Sequence, residues 1–426
     1  MRAAAHIEQL ERRTLLSHVG GAGDVVLHWN DVAIDALRFD RTYAGPVRAA
    51  RNMAIVQASV YDAVNGVEQT HAPFFVSRGA PAGADVEAAA ASAASRALTK
   101  LFPRQKRVFA AELKDTLLDI PNGPEERAGV RYGKYVADRI VNWRRRDGSR
   151  FDASYEPGNR PGDWRPTPPD FGRAVHAGGG DVEPFAVSDV DDYLPVPPPR
   201  LDSAEYAAAY NEVRDLGDRF SPFRTEDQTT IGLFWAYDRT GMGTPVALFN
   251  EVIQTVAVQE GNSFSENARL FAMANVAMAD AGIVAWACKY VDNFWRPITG
   301  IRNGDLDGNP DTAVDTEWEP LGAPDQFGDG FTPSFPAYVS GHSTLGAALF
   351  RTLGNFYGTD AVPFQLTSEE TPGVVRSYSS FTQAAEENGD SRIYLGVHWR
   401  FDDTAGQQAG REVADAVFDT YFAPAT

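Results

Sequence analysis

The sequence predicts an all-α protein of two packed helical bundles, with an anion-binding site in the C-terminal bundle. Three observations carry this. Apolar residues recur at helical spacing through most of the 426 residues, while the strict alternation of a half-buried strand is nearly absent. Pro and Gly stand at the joints between these segments rather than inside them. A Pro-, Gly- and Asp-rich stretch, 149–200, then divides the helical pattern in two.

Residues 1–23 hold a short charged amphipathic segment, Ile7 to Ser17, followed by a Gly-rich break at Gly20 to Gly23. The segment resembles a sorting-type N-terminus of exported bacterial proteins, so periplasmic or extracellular export is the expectation over a cytoplasmic location. No hydrophobic signal-peptide core precedes it. A first bundle is expected over 24–148. Its helices are Val25 to Arg41, then Val47 to Val64 opened by Pro46, Val86 to Phe102, Pro103 to Leu118, and Glu125 to Arg146. The second of these is apolar around most of its circumference and so belongs inside; Asp62 within it therefore needs a partner. The run Arg144-Arg145-Arg146 reads as a C-terminal turn favoured by the helix dipole.

The stretch 149–200 reads as a loop that connects the halves and drapes over the site opening, with Trp164, Phe171 and His176 at the rim. A second bundle follows over 201–426. Helical pattern resumes at Ser203 to Leu216 and Glu226 to Asp238, breaks at Gly241 to Gly243, restarts at Pro245 to Glu260, and is longest at Glu266 to Val291. Asn303 to Asp311 begins like a calcium loop, but Val314 stands where the bidentate Glu belongs and Pro310 lies inside, so an Asx-rich turn is expected. No internal repeat is evident.

With 43% hydrophobic and 11% aromatic residues, the chain can bury a large core. A formal net charge of -19 opposes nucleic acid or an anionic membrane as a partner, so any anion site must be a local cationic pocket. The single cysteine, Cys288, allows neither an internal disulfide nor a multi-Cys zinc site. No run of about 18 apolar residues suggests a transmembrane segment.

Three clusters carry chemistry. Lys289 and Arg296 are seven residues apart, two helical turns, and leave one face toward a common point if the helix continues that far; Trp286, Phe294 and Trp295 beside them favour a pocket over a solvated stripe. Phe335 to Thr344 is a loop running into a helix, where Ser340, Gly341 and His342 can meet an oxyanion on the N-terminal amides while Ser340 or Ser343 caps them. Arg392 and His398 are six apart, which an ideal helix separates by roughly 120°, so their convergence needs a break, and Gly396 supplies it. Asp402, one turn after His398, can accept its ring N–H and fix the tautomer. Lys289, Arg296 and Arg392 together match a tetrahedral trianion such as phosphate or vanadate.

The ordered set K-x6-RP, SGH and SR-x5-H-x3-D resembles the phosphatidic-acid phosphatase type 2 and vanadium haloperoxidase superfamily. Trp286, three residues before the motif lysine, and Phe335-Pro336-Ala337-Tyr338 are similar to the vanadium-dependent chloroperoxidases, as is the run Ser391 to Asp402. The likeness covers 226–418 well and the N-terminal half only in its helical pattern. One departure is Val339, where the family usually has Pro before SGH, which puts the placing of the Ser340 amide in question. The resemblance implies a vanadate cofactor, with phosphate able to occupy the same site, held by Lys289, Arg296, Ser340, Gly341 and Arg392, and His398 as the metal ligand. It further implies His342 as acid/base, Lys289 as a polarising cation, Asp402 behind His398, Asp238 opposite Arg392, and Trp286 with Phe335 on the halide side. Hydrogen peroxide and halide, bromide and also chloride, would be substrates, and the hypohalous acid formed would halogenate a small organic acceptor. Two rivals share these residues: a phosphomonoesterase with His398 as nucleophile and His342 protonating the leaving group, and a non-catalytic oxyanion-binding protein.

Overall fold

The computed structural model describes residues 24–40, 45–150, 153–325 and 330–425. The sorting-type reading of 1–23 lies outside them. Thirteen α-helices occur among the described residues, with two short antiparallel strand pairs, β1 (Ala323–Pro324) with β2 (Gly330–Phe331) and β3 (Phe364–Thr367) with β4 (Val375–Tyr378). The all-α expectation therefore holds.

The first helices are α1 (Val25–Phe39), α2 (Gly45–Glu68), α3 (Val86–Leu101), α4 (Lys106–Leu118) and α5 (Pro124–Trp143). Asp24 starts α1 by accepting the Val26 and Leu27 amides, the side-chain capping that orphan N–H groups require. Helix α2 is buried along nearly its whole length, as its all-round apolar pattern demands. The partner of Asp62 is a backbone: the carboxylate accepts the amides of Phe74, Phe75 and Val76 at 2.7, 2.9 and 2.7 Å.

Later helices are α6 (Ala204–Gly217), α7 (Glu226–Phe234), α8 (Thr244–Glu260), α9 (Phe264–Asp292), α10 (Pro297–Arg302), α11 (Gly341–Tyr357), α12 (Phe381–Tyr394) and α13 (Arg400–Thr420). Helix α9 opens on a capping box, Ser263 with Glu266, and runs through the centre against α2 and α11. It corrects the reading that no stretch is long and apolar enough to span a bilayer. By length and composition α9 passes that test, with a mean hydropathy of 1.5 over its best window, yet 94% of that window is buried inside the protein. Asn267, Asn275 and Asp280 interrupt the apolar run, which hides it from a search for unbroken hydrophobicity.

Two findings concern the middle of the chain. Arg144–Arg146 form a 3₁₀ turn at the end of α5, as the C-terminal-turn reading has it, yet Arg144 does not face solvent. It is fully buried, ion-paired to Asp147 at 3.0 Å, and donates to the Pro184 carbonyl at 2.9 Å and to the Glu183 carbonyl. A buried guanidinium must satisfy its five donors, and loop carbonyls do this here. Trp164 is likewise no rim residue: it is fully buried, and its amide donates to the Asn293 carbonyl at 2.7 Å. Phe171 is exposed and His176 half-buried. The connecting stretch holds short 3₁₀ turns at Gly179–Asp181 and Asp191–Tyr193 and is tied to α9 by Asp280, whose carboxylate accepts the amides of Phe185, Ala186 and Val187 at 2.6, 2.7 and 3.0 Å. The Asx-rich turn is as expected: Asp307 accepts the Asn309 amide, and Asn309 donates to the Leu201 and Ser203 carbonyls.

Candidate active site

The site lies where α9, α11, α12 and α13 bring their ends together. Trp286 and Lys289 leave the last turns of α9, and both are buried. The helix does not continue to Arg296. Asn293 adopts a left-handed conformation (φ 50°) and ends it, and Arg296 stands as the N-cap of α10. Convergence of the two cations is thus made by a turn and an extended segment, not by helical spacing.

Lys289 meets the loop that precedes α11. Its ammonium donates to the carbonyls of Pro336 and Ala337 at 3.0 Å and of Val339 at 2.5 Å. Those bonds use the three donors a lysine has. Lys289 therefore holds the loop and lends it charge, where an anion contact was expected. Burial, then the neighbouring Arg296 charge, holds its pKa well below the ordinary lysine value. The Tyr338-Val339 peptide is cis, and Val339 is buried in the place of the usual proline. Even so, the Ser340 amide is engaged, donating to the Asp402 carbonyl at 2.9 Å.

Ser340 caps α11. Its hydroxyl oxygen accepts from the Ser343 amide at 3.3 Å and the Ser343 hydroxyl at 2.9 Å, which leaves its own hydrogen for another acceptor. Gly341 begins the helix, and its amide is one of the donors a helix N-terminus presents outward.

Arg392 and His398 converge as expected, because α12 ends at Tyr394 and Gly396 turns the chain with φ 72°. A side chain at Gly396 would also collide with Gly217, whose carbonyl oxygen would lie 2.5 Å from the added Cβ. His398 is buried; its Nδ1 lies 2.8 Å from Asp402 Oδ2, which also accepts the Trp399 amide at 3.0 Å. Arg296 Nη1 stands 3.0 Å from His398 Nε2. A guanidinium only donates, so Nε2 carries the lone pair and Nδ1 the hydrogen. Burial, followed by the charges of Arg296, Lys289, Arg392 and His342, holds the His398 pKa well below its ordinary value. Those charges show that all five groups share one electrostatic neighbourhood. Asp402 is pushed up to about 7 by burial, against the Trp399 amide and the two cations.

Asp238 faces Arg392 as expected, its Oδ2 2.7 Å from Nη2 and 4.0 Å from His342 Nε2. His342 lies 2.8 Å from the Ala236 carbonyl through Nε2, so that nitrogen carries the hydrogen and Nδ1 is the basic one. Burial, then the Arg392 charge, lowers its pKa to about 4. Trp286 and Phe335 pack with ring centroids 5.1 Å apart, and the Lys289 ammonium lies 5.6 and 5.0 Å from them.

Sequence reasoning missed several supporting groups. Asn388 donates to the His342 carbonyl at 2.9 Å from within the core; its place one helical turn before Arg392 was the available signal. The turn at Ser368 and Glu369 holds the Asp238 segment, with the Ser368 hydroxyl on the Phe234 carbonyl and the Glu369 amide on the Tyr237 hydroxyl. No local sequence pattern points to it.

The chemistry of the set is that of an anion cage. Arg296 Nη2 and Arg392 Nε and Nη1 are buried and find no hydrogen-bond partner among the described residues. Buried, charged donors left open are costly, and a multiply charged oxyanion answers them. Vanadate or phosphate fits this donor set, with Ser340 and Gly341 beside it, and the His398 Nε2 lone pair, which here accepts from Arg296 Nη1, is the one a metal would take up.

Comparison with known proteins agrees. A family model described as the VCPO second helical-bundle domain matches residues 269–424. The vanadium chloroperoxidase of Curvularia inaequalis is 30% identical over an alignment of 490 positions, covering 90% of this chain and 79% of that protein. The structure of a protein described as the first bacterial vanadium-dependent iodoperoxidase superposes with a TM-score of 0.79 at 26% identity, covering 94% of this chain and 98% of that one. An apo-type bacterial vanadium-dependent chloroperoxidase shares the fold, with a TM-score of 0.68 at 15% identity and coverage of 88% and 94%. On the motif order, the shared fold and this coverage, the chain belongs to the vanadium-dependent haloperoxidase family.

Proposed function

We propose that this protein binds vanadate in the cage and oxidises halide with hydrogen peroxide to hypohalous acid, which halogenates a small organic acceptor. The observation that carries the reading is the set of open, buried guanidinium donors on Arg296 and Arg392 beside a histidine whose Nε2 is unprotonated. Bound vanadate would supply Lewis-acid activation of peroxide without a change in metal oxidation state.

The chain's own residues do the rest. Arg296, Arg392, the Ser340 hydroxyl and the Gly341 amide would hold the anion's oxygens, and Asp238 keeps the Arg392 fork aimed. His398 would ligate the metal through Nε2, with Asp402 fixing its ring. His342, neutral because of its burial, takes up a proton at Nδ1, and the nearby Asp238 carboxylate favours the charged ring that results. Lys289 adds positive charge while pinning the loop through three carbonyls. Trp286 and Phe335 form an apolar wall that strips water from a halide.

The test is peroxide-dependent oxidation of iodide, bromide and chloride by purified protein, with and without added vanadate, beside hydrolysis of an aryl phosphate. Halide oxidation that requires vanadate supports the reading. Phosphatase activity that vanadate inhibits, with no halide oxidation, contradicts it.

A further inference from the structure

The connecting stretch reaches the site at Gly179. Just upstream it is tied on both sides at Val175, whose amide donates to the Ser334 carbonyl at 3.0 Å and whose carbonyl accepts the Tyr290 hydroxyl at 2.6 Å. Downstream it is tied by Arg144 and by the three amide bonds to Asp280. Between these anchors the backbone lies against the indole of Trp286. A Cβ built on Gly179 would stand 2.6 Å from Trp286 Cδ1, 2.9 Å from Cγ and 3.2 Å from Cβ. On another side of the ring, a Cβ on Gly341 would stand 3.1 Å from Cζ3. The indole is only 1% exposed, and Phe335 packs against it at 52°. A ring confined this closely has no free volume into which it could yield without moving its neighbours.

We infer that Gly179 is a specificity-determining position: by lacking a side chain it seats the Trp286 indole between the connecting stretch and Gly341, and so sets the width of the halide-side wall. The inference rests on the reading of Trp286 and Phe335 as that wall. A methyl group at 179 pushes the rigid ring toward Phe335 and Gly341, because the alternative is to move a backbone anchored at both ends. Halides differ in radius and in hydration, so a shifted wall changes their relative use more than it changes vanadate binding. Gly179 is a positioning residue, acting only through Trp286.

The experiment compares wild type, Gly179→Ala, Trp286→Ala and the double variant, all vanadate-loaded. It measures KM and kcat for chloride, bromide and iodide, and the vanadate dissociation constant. Gly179→Ala is expected to change at least one halide KM, and the ratio of kcat/KM between bromide and iodide, by about fivefold or more, with vanadate affinity held within about twofold. In the Trp286→Ala background the same substitution should have no further effect on that ratio, a non-additivity that a general loss of stability does not produce. Should Gly179→Ala fail to fold, Tyr290→Phe, which loosens the seat by removing the bond to the Val175 carbonyl, decides the matter and is expected to move the ratio in a smaller degree. Unchanged halide ratios in both seat variants, with altered ratios in Trp286→Ala, overturn the inference and leave the wall in place. Unchanged ratios in Trp286→Ala overturn the reading of the wall itself.

Discussion

His398 and Asp402 lie one turn apart across the start of α13, with Nδ1 2.8 Å from Oδ2. The same carboxylate oxygen accepts the Trp399 amide, so a single group both starts the helix and sets the histidine tautomer. Asp402→Asn brings an amide N–H that can face Nδ1 and moves the ring hydrogen to Nε2. Vanadate affinity is expected to fall by about 10- to 100-fold, measured by titration calorimetry or vanadium-51 NMR. Unchanged affinity would mean that the tautomer does not matter.

Arg392 donates to Asp238 through Nη2 and keeps Nε and Nη1 open. Arg392→Lys keeps the charge but loses the planar fork. Affinity for vanadate, and for phosphate as its competitor, should fall by about tenfold or more. Asp238→Ala, which releases the fork without removing it, should cost less. Equal binding by wild type and Arg392→Lys would show that charge alone holds the anion.

Removal of the Lys289 ammonium has a structural cost as well as a catalytic one. In Lys289→Met the carbonyls of Pro336, Ala337 and Val339 lose a buried donor, and the expected destabilisation is about 3 kcal/mol, read from denaturant unfolding. A variant as stable as wild type, defective only in turnover, would place the lysine's role in chemistry alone.

His342 makes a contribution of definite sign to the pH dependence of stability, which the Asp402 carboxyl, raised to about 7, opposes over the same range. His342 titrates at about 4 when folded and near its ordinary value when unfolded, because burial and Arg392 disfavour the charged ring. Between those values the unfolded chain binds the extra proton, so stability rises with pH there and is lost as pH falls from about 6.5 toward 4, by at most about 3 kcal/mol from this group. His398, lowered in the same direction, adds to the trend. Bound vanadate or phosphate brings negative charge beside both rings and should flatten the acid limb of the melting-temperature profile. A His342→Gln variant whose ligand-free stability keeps the wild-type pH dependence over this range would contradict the buried, neutral state of His342.

Much of the site was legible because local backbone rules placed it. The break between Arg392 and His398 follows from Gly396, the N-terminus at Ser340 from capping, and the Asp402 pairing from one helical turn. Lys289 and Arg296 converge for a different reason than their spacing implied, since Asn293 ends the helix between them. What stayed hidden are pairings of side chains with distant backbone, such as Lys289 with the 336–339 carbonyls, Arg144 with 183–184 and Asp280 with 185–187. A charged residue inside an apolar helix announces that it needs a partner; it does not say which loop will supply one. The connecting stretch was legible as a break between helical segments, but its contact with Trp286 depends on tertiary approach at Gly179.

The central claim is that turnover belongs to a vanadate held by the cage of Arg296, Arg392, Ser340, Gly341 and His398. The direct measurement is a titration of vanadate-stripped protein with orthovanadate, following bound vanadate and peroxide-dependent halide oxidation together. The account predicts saturation near one equivalent, turnover rising in proportion to occupancy, and competition by phosphate. Halide oxidation that is absent at full vanadate occupancy, or undiminished in stripped protein, would contradict it.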